Sequence, residues 1–136
     1  MKALLAIAAT AMLTGGTAWA DCSYPPGPDH LPDGNTATSQ EMLDAQKAVK
    51  DYNQAVTAYL SCIQLERNDA IEKLSAQAGD KPTPEQKKQM EAMQKDLERV
   101  EVQKHNAAVD QLQSVAQRFN EQVKVYKAKN SDKSKS

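Results

Sequence analysis

The sequence predicts an all-α protein: an antiparallel two-helix coiled-coil hairpin with a Pro-rich N-terminal lead pinned by one disulfide. Three observations lead there. First, beyond residue 20 the helix breakers fall in only two places, a lead (Pro25, Pro26, Gly27, Pro28, Pro32, Gly34) and a mid-chain cluster (Gly79, Pro82, Pro84). Gly and Pro cost a helix interior ~1 and ~3 kcal/mol per site, so the stretches 39–78 and 85–130 read as two long helices around one turn. Second, apolar residues in both stretches recur with a heptad period. Third, one of the two cysteines, Cys22, stands in the lead and the other, Cys62, within the first helix. The expected order is a signal peptide (1–20), the extended lead (21–37), helix one (38–78), a turn (79–83), helix two (84–127) and a disordered polar tail (128–136).

Residues 1–20 begin Met1-Lys2, continue through the apolar run 3–13 and end Ala18-Trp19-Ala20 ahead of Asp21. A positive start, a short apolar core and a small-x-small site make a cleavable secretory signal, with cleavage expected between Ala20 and Asp21. The apolar run is far shorter than the ~20 residues a spanning helix needs. Asp21 beside Cys22 does not match a lipidation site. The chain is therefore expected to be exported, periplasmic or secreted, with no stable membrane anchor.

The first helix is expected to open on a capping box, Thr38-Ser39-Gln40-Glu41. Met42, Ala45, Val49, Tyr52, Val56, Tyr59 and Ile63 then alternate steps of three and four, a coiled-coil seam. It slips at Arg67 and recovers at Ile71, Leu74 and Ala78, a stutter that relaxes the supercoil. The second helix opens on another box, Thr83-Pro84-Glu85-Gln86, with Pro at the first helical position. Its seam takes Met90, Met93, Leu97 and Val100, passes Lys104, and resumes at Ala108, Leu112, Val115, Phe119, Val123 and Tyr126. So short a connection makes the helices antiparallel neighbours, with facing residue numbers summing to about 162 if the turn sits at 79–82.

Two cysteines in an exported chain pair more often than not. The lead is long enough to turn at Pro32-Asp33-Gly34 and run back along the first helix to Cys62. The column Ala48, Ala55, Cys62 on one flank of the seam leaves room for it. A catalytic pair would normally appear as Cys-x-x-Cys; these two are 40 apart. The bridge reads as structural.

Composition narrows function by exclusion. Lys2 leaves with the signal, so 17 Lys+Arg fall to 16 against 18 Asp+Glu, a net of −2. That balance points neither to nucleic acid nor to a polycation that binds membrane surfaces. With Trp19 gone, the aromatics are Tyr24, Tyr52, Tyr59, Tyr126 and Phe119, poor material for a ligand pocket. His30 with Asp29 and Asp33 falls short of a zinc-site spacing, and His105 is read as a packing residue. No phosphate loop, nucleophile elbow or HExxH pair is present. No cofactor, metal or catalytic residue is expected.

Thr83-Pro84-Glu85-Gln86-Lys87-Lys88-Gln89-Met90 resembles the helix start of the Spy/CpxP periplasmic chaperones and stress sensors. The resemblance covers eight residues, with Pro82 where that pattern has Leu, and implies a small chaperone-like binder as the alternative function. The main expectation is a non-enzymatic envelope structural or protein-interaction module. Its candidate interaction strip is Leu60, Val102, Val109, Ala116 and Val123: the four residues of the second helix recur every seven, and Leu60 is expected beside Val102. Such a strip is apolar surface for a partner or a homodimer. The competing reading is a slightly wide seam on a monomer.

Overall fold

The computed structural model describes residues 22–133. The expected cleavage residues Ala18, Ala20 and Asp21 lie outside that range. Two helices, α1 (Ser39–Ala78) and α2 (Pro84–Lys133), pack against each other, and no strand occurs among the described residues. At 1.5 Å per residue they are about 60 and 75 Å long. Cys22 is bonded to Cys62, with Cα atoms 5.8 Å apart. No described helix is long and apolar enough to cross a membrane.

Both helix starts close as capping boxes. Thr38 Oγ1 accepts from the Glu41 amide, while Glu41 Oε2 accepts from the Thr38 amide at 2.7 Å. Those bonds hold the Glu41 carboxyl below its ordinary pKa. Thr83 and Gln86 repeat the arrangement, at 3.2 and 2.8 Å. α1 ends at Gly79, whose φ of 68° suits a residue without a Cβ. α2 runs through to Lys133, past the expected end at 127. No Gly or Pro stops it, and Asn130 Nδ2 donates to the Tyr126 carbonyl.

The core follows the heptads of α1. Met42, Ala45, Tyr52, Val56, Tyr59 and Ile63 are buried and Val49 is half-buried. From α2, Ala108, Val115 and Phe119 are buried, and Leu112, Val123 and Tyr126 pack against them half-buried. Two seam assignments in α2 are corrected: Met93 is 50% and Val100 41% exposed. Gln94 and Glu101 are half-buried instead, alongside Met90 and Leu97.

The register is also corrected. Arg67 Nε lies 3.1 Å from Glu101 Oε2, and Lys104 Nζ lies 3.7 Å from Glu66 Oε2. Facing numbers therefore sum to 168 and 170, not about 162. The expected value assumed a turn with no travel along the axis. The extended ψ of −173° at Gly79 lets the connection advance before Thr83 caps α2. Leu60 is accordingly level with Val109 rather than Val102. α2 begins beyond the end of α1, with Ala78 level with about residue 91 at equal helical rise.

Candidate functional site

Residues 22–37 hold no helix or strand and double back along the hairpin. At the far end the Cys22 amide donates to Glu66 Oε1 at 3.0 Å, next to the disulfide. Two residues on, the Tyr24 ring meets Tyr59 edge to face with centroids 5.2 Å apart. Its hydroxyl shares a 2.8 Å hydrogen bond with that of Tyr52. Burial first, and then that bond, push the Tyr24 phenol up to about 12. Leu31 and Ala37 join the cluster of Met42, Ala45 and Phe119.

The chain turns at Asp33, whose carbonyl accepts from the Thr36 and Ala37 amides and whose Oδ1 accepts from the Asn35 amide at 2.8 Å. Gly34 is buried against α2, where its amide donates to Gln122 Oε1 at 2.9 Å. A Cβ at this glycine would stand 2.2 Å from the Gln122 carbonyl oxygen and 2.8 Å from the Tyr126 nitrogen. Lys129 Nζ donates to the Asn35 carbonyl and ties the end of α2 to the same turn.

Two open grooves flank this segment. One, of about 720 Å³, lies towards α2 and includes His30, Leu31, Asp33, Arg118, Glu121 and Val125 in its walls. The other, of about 830 Å³, lies towards α1 and includes Pro26, Pro28, Asp29, Glu41, Asp44 and Ala48. Both are shallow and mixed in character, without the enclosed apolar lining of a small-molecule site. Among the described residues no three His, Cys, Asp or Glu side chains converge as metal ligands. His30 and His105 are both exposed.

The predicted interaction strip is divided by the structure. Val102 is 55% exposed, whereas Leu60, Val109, Ala116 and Val123 are half-buried; Leu60 and Val123 pack on the core clusters. More apolar surface lies elsewhere. Among the described residues none between Ile63 and Ala108 is buried, so the half of the hairpin near the turn is an arm without a closed core. Leu65, Met93, Val100 and Val102 stand exposed in it. The heptad spacing of Met93 and Val100 marked them as apolar contact residues, but sequence reasoning placed that contact inside the chain.

At the base of this arm lies a polar layer. Glu66 receives both the Cys22 amide and Lys104, while Arg67 faces Glu101. The Arg67 Nε is buried and its N–H finds no aligned acceptor, so its contact with Glu101 is an ion pair without a hydrogen bond at that atom. These are the positions where both apolar seams break. Compared with known protein families, with curated proteins and with solved structures, the chain has no match in any of the three.

Proposed function

We propose that the chain is an exported, non-enzymatic protein-interaction module of the cell envelope, with the arm beyond Ile63 and Ala108 as its binding part. The observation that carries this is the division of the hairpin. One half is closed by the bonded lead around a buried core; the other has no buried residue yet exposes Leu65, Met93, Val100 and Val102. Helices that bury no side chain draw little stability from packing. Exposed apolar groups on the arm therefore favour a partner there more than Tyr24 and Leu43 do, which are exposed on the half whose core is already closed. Export rests on the signal-like residues 1–20 and on the Cys22–Cys62 bond, a kind of bond that persists in oxidising compartments.

The test is site-specific photo-crosslinking in the envelope fraction from Met93 in the arm, with Lys47 on the opposite half as control. A discrete adduct from Met93 and none from Lys47 supports the reading. Equal or absent labelling at both removes it. A second reading, a chaperone-like binder, has the exposed methionine in its favour, because flexible thioether side chains suit varied clients. Suppression of aggregation of several unrelated unfolded proteins by the monomer would favour it.

A further inference from the structure

We infer that the partner of the arm is a second copy of this chain, paired antiparallel through Met90, Met93, Leu97 and Val100 of α2. The inference rests on the proposed binding role of the arm and names its occupant. The four residues step by three, four and three, which is a heptad seam in its own right. The intrachain contact does not use it fully: Met90 and Leu97 are half-buried, while Met93 and Val100 are turned outward.

The position of the strip explains why it is bare. Val100 lies 18 residues before Arg118, about five turns, and so on the same side of α2. Arg118 borders the groove beside the lead, and the described part of the lead, residues 22–37, covers this flank as far as Cys22, where it is bonded to Cys62. Beyond that bond, towards the turn, none of the described residues covers the flank. The register also leaves the first turns of α2 without α1 opposite them.

The order of the strip selects a second copy. Its 3-4-3 spacing is the same in both directions, so a two-fold axis level with Lys95 sets Met90 against Val100 and Met93 against Leu97 of the second copy. The flanks largely agree. Flanking residues fall about one position off the core rungs: Lys87 beside Glu101 of the second copy and Gln94 beside its own counterpart on one edge of the seam, and Gln89 beside Gln103 on the other. Glu101 also faces Arg67 of its own chain, which leaves a cation on either side of one carboxylate. Asp96 meets its own counterpart, a like-charge contact offset by Arg99, whose Nη2 lies 3.1 Å from Asp96 Oδ1. Two arms joined in this way make a four-helix layer, a form in which helical hairpins bury such seams.

The experiment is sedimentation equilibrium of the chain lacking residues 1–20, with its disulfide intact. Expected are a reversible dimer, at least about tenfold weaker binding in Met93→Lys/Val100→Lys, and about twofold tighter binding in Asp96→Asn. Both sets of side chains are exposed, and unchanged helical circular dichroism confirms that the variants fold. A monomer at all concentrations overturns the inference. A dimer insensitive to the double variant but lost in Val109→Lys also overturns it, in favour of the other flank. If crosslinking from Met93 then captures a different protein while the chain sediments as a monomer, this inference fails and the interaction module stands. No specific adduct of either kind removes both.

Discussion

Arg67 of α1 and Glu101 of α2 face each other 3.1 Å apart at the level where the closed core ends and the arm begins. Their side chains are 28% and 20% exposed, so the pair is only partly screened by water. With Glu66 and Lys104 beside them, they turn Gln94 and Glu101 of α2 towards α1, where an all-apolar seam would have presented Met93 and Val100. Removing one partner strands the other: Arg67→Ala is expected to cost roughly 1–2 kcal/mol. Replacing both with Leu should stay within about 1 kcal/mol of the parent, because an apolar pair avoids the desolvation of two charges. Urea denaturation of the single and double variants measures both.

The closed half depends on Val56 and Val115, which are 0% and 1% exposed. Val56→Asp should be severely destabilising, by roughly 3–5 kcal/mol, because it places an unpaired carboxylate in the interhelical layer. Lys88→Ala, on an exposed face, should stay within about 0.5 kcal/mol. Thermal melts of the two variants that shift alike would contradict this packing.

The Cys22–Cys62 bond closes a loop with a sequence separation of 40. On the chain-entropy account such a loop is worth roughly 4 kcal/mol. Cys62→Ala or full reduction should therefore lower the melting temperature by at least several degrees, at ~4–8 °C per kcal/mol for a domain of this size. Intact mass after thiol alkylation under denaturing, non-reducing conditions should show no added label.

Gly34 touches the backbone of α2 so closely that even one methyl group has no room. Gly34→Ala should cost about 1–3 kcal/mol through displacement of the turn at Asp33. It should also raise proteolytic cleavage within residues 22–37 under native conditions. Unchanged cleavage would mean that the lead is not seated through this glycine.

Tyr24 has its phenol pushed up to about 12. A group whose folded pKa lies above its unfolded value of about 10 contributes stability that is complete below pH 10 and lost as pH rises through 12. Urea midpoints measured between pH 9 and 12 should fall less steeply in Tyr24→Phe than in the parent. In the same variant the Tyr52 hydroxyl, in a residue only 3% exposed, loses its partner, at a cost of roughly 0.5–1.5 kcal/mol near neutral pH.

Local rules were enough for much of this molecule. The helix starts at Thr38 and Thr83 follow from capping chemistry within four residues, and the break at Gly79 follows from the clustering of Gly and Pro. The buried face of α1 follows from the unbroken run of steps from Met42 to Ile63, since a heptad pattern fixes one side of a helix whatever it packs against. The pairing of Cys22 with Cys62 was legible because there was no third cysteine to compete and the lead had the reach.

Only the tertiary structure decided how the two helices stand against each other. The axial offset depends on how far the backbone travels between Gly79 and Thr83, which residue types alone do not specify, and that offset moved Leu60 from the level of Val102 to that of Val109. The facing side of α2 near the turn depends on where Glu66 and Arg67 find opposite charges, because charged groups at a seam must pair before apolar ones can close over them. Those two choices, made across the space between the helices and not along either one, left Met93 and Val100 on the outside.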